Sequence, residues 1–174
     1  MEKLKEFKRG ITHEKIISQG TKSIIYQIAN MYVAKFYFKK INSLEIKILE
    51  DITTITFLQH ENEIAQILYQ NNISVPKPKG IFNIPLKFSF TKKSKSYPGF
   101  VMEYIKGRNI AKLTDLERWP LLKIMEKELK KVRALGIDPV DSDYYGNCLW
   151  NPIKKKIYLI DFKEWYFDYT KNKI

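Results

Sequence analysis

The chain has 174 residues, 44% of them hydrophobic, a single cysteine and a formal net charge of +12. This length and apolar content suit one domain or two small lobes, and they exclude a disordered or low-complexity chain. No apolar run approaches the length of a membrane span, and the charged start MEKLKEFKRG lacks the apolar core of a signal peptide. Because Cys148 has no second cysteine to pair with, we expect a cytoplasmic protein.

The excess of positive charge favours contact with an anionic partner, such as a nucleotide, a nucleic acid or an acidic protein. A composition rich in Ile, Lys, Asn and Tyr is also typical of an AT-rich genome, so the charge alone does not choose among these partners. The two histidines, His13 and His60, and Cys148 do not show the spacing of a zinc site.

The first part of the chain predicts a short helix, Glu2–Lys8, and then three strands with two turns between Glu14 and Phe38. The third strand carries Lys35 in the middle of an apolar run. A buried lysine costs free energy unless an anion meets it. Two interpretations are open: Lys35 points to solvent from a wet face of the sheet, or it binds a phosphate beside the turn at Gly20.

A helical pattern follows from Ser43 to Asn72. The β-branched run Ile52–Thr56 predicts a break that divides it into two helices. The prolines in Val75–Pro78 predict an extended segment.

Three strand-like stretches come next, and a basic turn containing Lys92, Lys93 and Lys95 separates the last two. This turn is either a solvated hairpin tip or a docking site. A hinge is expected directly after the last stretch. The stretches and the hinge are Gly80–Phe82, Leu86–Phe90, Phe100–Tyr104 and Ile105–Arg108.

Thr114 and Glu117 have the spacing of a capping box and predict a helix that ends at Leu135–Gly136. Pro120 indicates either that this helix begins there or that it kinks. A polar loop then runs from Gly136 to Trp150. After a turn formed by Lys154, Lys155 and Lys156, a buried-looking strand ends at Asp161.

In this order the motifs resemble the protein-kinase-like superfamily, and most closely its small atypical members, the RIO kinases and the archaeal kinase of the KEOPS complex. Ser18–Tyr26 is similar to the nucleotide-binding loop, with Gly20 as its central glycine. Val33-Ala34-Lys35 is similar to the strand that carries the phosphate-binding lysine, and Glu61 to the helix glutamate that pairs with it. The resemblance implies an α+β, two-lobe fold with an antiparallel β-sheet N-lobe, 1–104, and a reduced helical C-lobe, 105–174.

The resemblance also implies ATP and Mg²⁺ as ligands. The backbone of Phe100–Tyr104 would meet adenine, and Asn147 and Asp161 match the two metal-binding positions. The nucleotide-binding residues that it implies are Ser18, Gly20, Ser23, Lys35, Glu61, Glu103 and Tyr104. Glu63 is an alternative partner for Lys35.

The catalytic base departs from the family pattern, in which asparagine follows the aspartate by five residues. Here that offset falls on Ser142, whereas Asp141 lies six residues before Asn147 and Asp143 lies four before it. Counting forward from Gly136-Ile137 favours Asp141 as the base, with Pro139 and Val140 in place of the usual His-Gly. Asp143 stays open as the alternative, and Lys35 is the third catalytic residue.

The resemblance implies a small atypical serine/threonine protein kinase whose substrate is a protein, including the kinase itself. One alternative is a nucleotide-binding pseudokinase with a regulatory role. Another is a nucleic-acid-binding accessory protein that uses its lysine runs, including 154–156. No membrane partner is expected.

Overall fold

The structure is a computed structural model that describes residues 15–40, 46–86, 95–140 and 145–168. These residues contain the helices α1 (Ile52–Gln70) and α2 (Asp115–Ala134), short 3₁₀ turns at Ile110–Lys112 and Tyr145–Asn147, and eleven strands. The strands are β1 (Lys15–Gln19), β2 (Ser23–Ala29), β3 (Tyr32–Lys40), β4 (Ile46–Ile48), β5 (Pro78–Leu86), β6 (Lys95–Glu103), β7 (Arg108–Asn109), β8 (Ile137–Asp138), β9 (Cys148–Asn151), β10 (Lys156–Leu159) and β11 (Tyr166–Phe167).

The described residues form two compact units. The first contains residues 15–40, 46–62, 78–86 and 95–104, and the second contains 63–77, 105–140 and 145–168. Helix α1 therefore begins in the first unit and ends in the second. The division into domains 1–104 and 105–174 stays a prediction, and it differs from these units in the placement of 63–77.

The first unit is built on an antiparallel sheet with the strand order β1-β2-β3-β6-β5, and β4 pairs with the end of β3. Along β2, buried residues alternate with half-buried ones, as the two-residue period of a strand requires. The central strand β3 is buried from Val33 to Phe38. Its alternate residues Ala34, Phe36 and Phe38 join one apolar cluster, so Lys35 projects from the opposite face.

Gly99 on β6 makes room for the aromatic centre of this cluster. The rings of Tyr26 and Phe36 meet edge to face with centroids 5.8 Å apart. A Cβ atom at Gly99 would lie 2.7 Å from Cε1 of Phe36 and 3.0 Å from Cδ1 of Ile84. The sheet therefore requires a residue without a side chain at this position.

We predict that Gly99→Ala lowers the free energy of unfolding by about 1–3 kcal/mol, because the added methyl group overpacks the cluster. The matched control is Gly146→Ala, where a Cβ would meet no atom within 4 Å. Urea denaturation of both variants measures the difference. Equal stabilities for the two variants would contradict this account of the core.

The second unit contains α2 and small sheets of the order β10-β9-β7 and β11-β8. The capping box at the start of α2 is confirmed: Glu117 N–H donates to Thr114 Oγ1 at 3.4 Å, and Thr114 N–H donates to Glu117 Oε2 at 3.0 Å. Gly136 ends the helix with φ 71°, a conformation that glycine adopts without strain. The predicted start at Pro120 is wrong, because the cap fixes the first turn five residues earlier.

The predicted helical segment from Ser43 differs from the structure in two ways. Ile46–Ile48 forms strand β4 against the end of β3, so a hydrogen-bonded edge overrides the local helical pattern. The expected break at Ile52–Thr56 is also wrong, and α1 runs through it. Asp51 stabilises the start of α1 in this β-branched run, because its side chain accepts a hydrogen bond from Thr54 N–H at 2.8 Å. The same hydrogen bond lowers the pKa of the Asp51 carboxyl.

Strand β9 replaces the end of the predicted polar loop, because Cys148–Asn151 pairs with both β7 and β10. Burial raises the pKa of the Cys148 thiol to about 12, so it is not a reactive nucleophile.

The two strands expected at Gly80–Phe82 and Leu86–Phe90 are one strand, β5, as far as Leu86. Residues 87–94 and the predicted helix Glu2–Lys8 lie outside the described residues. Neither α1 nor α2 has the combination of length and apolar character that a membrane crossing needs.

Candidate functional site

A buried ion pair lies in the first unit, between strand β3 and helix α1. Lys35 Nζ is 2.7 Å from Glu61 Oε1, and the two side chains are 3% and 1% exposed. The hydroxyl of Tyr37 donates to the other carboxylate oxygen, Oε2, at 3.1 Å. Lys35 and Tyr37 are two residues apart on one strand, so both project from the same face and reach the same carboxylate.

Two hydrophobic residues flank Lys35 on the neighbouring strands. Ile25 on β2 and Phe100 on β6 are its partners in the register of the sheet. Away from water, charges interact more strongly, and each also loses its hydration. The alternative partner, Glu63, lies two residues further along α1 and is exposed. The structure thus brings Lys35 together with Glu61.

The glycine turn between β1 and β2 is closed by its own backbone. Gly20 N–H donates to the carbonyl of Ser23 at 2.8 Å, and Phe38 N–H donates to the carbonyl of Lys22 at 3.0 Å. Ser18 and Gly20 are exposed, and Ser23 is half-buried. The turn is therefore tied to β3 three residues beyond Lys35, and the amide of Gly20 already has an acceptor.

The segment expected to meet adenine lies at the end of β6. Glu103 is opposite Tyr32 in the sheet, and Tyr104 N–H donates to the carbonyl of Met31 at 2.8 Å. An adenine contact through the amide of Tyr104 would require breaking that bond. The nucleotide-binding role of Glu103 and Tyr104 stays a prediction.

In the second unit, the structure brings together the segments that carry the two predicted metal ligands. Asp161 follows β10, and Ile160 N–H, one residue before it, donates to the carbonyl of Asn147 at 2.9 Å. Asp161 has φ 64°, a left-handed conformation that aspartate and asparagine tolerate better than most residues. A carboxylate and an amide oxygen are hard ligands that fit Mg²⁺.

Other candidate ligands are sparse in the part of the chain that the structure describes. Within 15–40, 46–86, 95–140 and 145–168, no group of three His, Cys, Asp or Glu side chains could hold a metal ion. The two candidate bases, Asp141 and Asp143, lie outside these ranges, so their roles stay predictions.

Ser74 fixes the strand that leads to Asp161. Its carbonyl accepts from Leu159 N–H at 2.8 Å, and its N–H donates to Glu128 Oε2 on α2 at 3.1 Å. Burial raises the pKa of Glu128, but hydrogen bonds from Lys131 and the Ser74 amide, with the charges of Lys131 and Lys156, outweigh burial and lower it. Glu128 is therefore held as a carboxylate that anchors the end of β10.

Aromatic packing fixes the chain on the other side of Asp161. The rings of Phe162 and Trp165 meet edge to face with centroids 5.0 Å apart, and both side chains are buried. Asp161 is thus held between a hydrogen-bonded strand and a buried ring pair, which allows its left-handed backbone to persist.

Sequence reasoning missed Glu128 and three further supporting residues. Tyr37 lies two residues after Lys35, and this spacing in a strand would have placed both side chains on the same face. Asn109 Nδ2 donates to the carbonyl of Gly146 at 2.7 Å, and the Arg118 guanidinium lies 5.0 Å from the ring centroid of Tyr145. The last two contacts hold the 3₁₀ turn that carries Asn147, and no short-range pattern predicts them.

We predict that Lys35→Met lowers the free energy of unfolding by about 3–5 kcal/mol, because it leaves Glu61 buried without its cation. The double variant Lys35→Met/Glu61→Gln should be less destabilised than the sum of its single variants, because it removes both charges of this pair together. Urea denaturation measures all four proteins. Lys39→Met, at an exposed position of the same strand, is the matched control. Additive effects would show that the two charges do not depend on each other.

Comparison with known proteins supports the fold. No protein-family model matches the chain, and no curated protein matches it. The chain is similar to the crystal structure of the Rio2 kinase–ADP/Mg²⁺–phosphoaspartate complex from Chaetomium thermophilum, with 15% sequence identity and a TM-score of 0.56. The similarity covers 88% of this chain and 48% of that one, so the chain spans about half the length of the Rio2 kinase chain. The likeness establishes a mixed α/β, protein-kinase-like fold, with an antiparallel sheet and two helices in the described residues.

Proposed function

We propose that this protein binds ATP with Mg²⁺ and transfers the γ-phosphoryl group to a serine or threonine hydroxyl of a protein. In this proposal the chain is a two-lobe kinase, with the sheet unit as the N-lobe and a reduced C-lobe, divided near residue 104. The observation that carries it is the buried ion pair between Lys35 and Glu61.

A buried ion pair is a poor device for stability alone. Apolar residues of similar volume are often as stable or more stable at such positions. This chain nevertheless keeps a lysine and a glutamate among Ile25, Phe100 and Tyr37, where both charges lose their hydration. Charges maintained at such a cost are typical of functional sites. Lys35 is a compact cation whose ammonium is held in place, which suits the phosphates of a nucleotide.

Asp161 and Asn147 supply the oxygen ligands for Mg²⁺, which when bound neutralises part of the phosphate charge. The left-handed backbone of Asp161 agrees with a functional position, because such conformations cluster at active sites. The Rio2 kinase structure that resembles this chain contains ADP and Mg²⁺. That likeness supports the same pair of ligands here.

In the proposed transfer, the oxygen of the substrate hydroxyl forms a bond to the γ-phosphorus, and the bond between that phosphorus and the ADP oxygen breaks. The hydroxyl proton passes to a carboxylate, either Asp141 or Asp143. Catalysis in such a reaction comes mostly from positioning and charge stabilisation. Lys35 binds and orients phosphate in this scheme, and Glu61 and Tyr37 position Lys35.

We predict that ATP with MgCl₂ raises the melting temperature of the wild-type protein, since a ligand at 100 times its Kd adds about 2.7 kcal/mol of stability. Lys35→Met/Glu61→Gln should remove most of the shift, and it takes away both charges of the pair. Asp161→Asn should also remove most of it, and asparagine tolerates the left-handed backbone, so the fold is retained. Glu63→Gln makes the same chemical change at an exposed position of α1 and should keep the full shift. A wild-type protein that does not respond to millimolar nucleotide and metal would contradict the proposal.

Transfer itself is measured with γ-labelled ATP. Asp141→Asn should abolish labelling and spare ATP binding, whereas Asp143→Asn should reduce labelling by a smaller factor. The reverse order of the two losses would assign the base to Asp143. Label on serine or threonine survives hydroxylamine, whereas label on an aspartate, as in the phosphoaspartate of the Rio2 structure, is released. ATP binding without labelled product would favour the pseudokinase function instead.

A further inference from the structure

A lysine-rich groove of about 500 Å³ lies in the second unit, between α2 and the turn that joins β9 to β10. Five lysines line it: Lys123, Lys127 and Lys131 from the helix, Lys155 from the turn, and Lys156 from the first position of β10. The residues of the predicted ATP and Mg²⁺ sites are not among its lining. Its chemistry therefore needs a separate explanation.

The groove carries a strong positive charge. Glu128 is the acidic residue of the lining; the residue is 9% exposed, and its carboxylate is already bonded to the Ser74 amide and Lys131. Lys123, Lys127 and Lys155 form no ion pair with any described residue. Three exposed ammonium groups are thus available to an anionic partner.

The helical lysines are regularly spaced. Lys123, Lys127 and Lys131 follow one another every four residues, about 6 Å apart along the helix axis. They lie on the side of α2 away from its buried residues Leu121 and Met125. A row of cations at this spacing fits a chain of phosphates better than a single anion.

An exposed aromatic ring continues the row. Trp119 is 73% exposed and lies one helical turn before Lys123. It lines a second groove of about 500 Å³ that shares Lys123 and Lys127 with the first. Cations that follow a phosphate backbone beside an open aromatic ring are the combination that binds single-stranded nucleic acid, because unpaired bases stack on such rings.

We propose that this face of the second unit binds single-stranded RNA, with phosphates on Lys123, Lys127 and Lys155 and a base stacked on Trp119. RNA is the polymer whose unpaired bases proteins commonly recognise by stacking. The face differs from the set of lysines predicted from the sequence. Lys155 and Lys156 of the run 154–156 belong to it, whereas Lys95 lies in the first unit and is paired with Glu50. Lys92 and Lys93 lie outside the described residues.

The test measures binding of a fluorescent 15-nucleotide oligo(U) RNA by anisotropy across a range of salt concentrations. Wild-type affinity should fall log-linearly with salt, with a slope of about −0.7 for each phosphate contacted. Lys123→Gln/Lys127→Gln/Lys155→Gln should weaken binding at least tenfold at low salt and reduce the slope by about 2. Trp119→Ala should weaken binding roughly tenfold and leave the slope unchanged, because it removes stacking and not a charge.

The matched control is Lys47→Gln/Lys106→Gln/Lys112→Gln, which removes the same charge at exposed positions elsewhere and should keep wild-type affinity. Lys35→Met/Glu61→Gln should also bind RNA normally, so this inference can fail or succeed independently of the kinase proposal. Equal losses in the two lysine triples, equal binding to a duplex of the same length, or equal competition by polyglutamate would each overturn it. Absence of RNA binding at 50 mM salt would do the same.

Discussion

The first unit depends on the ion pair between Lys35 and Glu61, two oppositely charged side chains with almost no exposed surface. Each loses its hydration and depends on the other, so strand β3 and helix α1 must keep one register. Tyr37 satisfies the second carboxylate oxygen from the same face of the strand. The apolar cluster occupies the opposite face, where Phe36 packs over Gly99. One strand therefore supplies both a hydrophobic core and a positioned cation.

The second unit holds its candidate site by hydrogen bonds from several elements. Ser74 joins α2 to β10, and the backbone of Ile160 joins that strand to Asn147. Asp161 lies between this network and the buried pair Phe162 and Trp165, in a backbone conformation that few residues adopt. The exposed side of α2 carries lysines and Trp119, and Glu128 also lines the lysine-rich groove. The same helix thus anchors β10 through Glu128 and presents a basic surface beside it.

Features that depend on local chemistry could be predicted from the sequence. The strands β2 and β3, the capping box of Thr114 and the strand ending before Asp161 follow from residue type and short-range spacing. Strand β4 could not be predicted, because its three residues are extended only through pairing with the end of β3. The continuity of α1 depends on a cap from Asp51 that outweighs the β-branched run after it. The hydroxyl of Tyr37 reaches a carboxylate 24 residues away, a contact that only the folded sheet and helix create.

The central claim is that Glu61 acts on a nucleotide through Lys35. Calorimetric titration of ATP with Mg²⁺ into the wild type, Lys35→Met, Glu61→Gln and the double variant measures this directly, with the folded fraction of each protein fixed by circular dichroism. Glu61→Gln should weaken binding when Lys35 is present and have no effect when it is replaced, giving a coupling free energy of about 1 kcal/mol or more. Independent effects of the two substitutions, or unchanged affinity in all four proteins, would contradict the account.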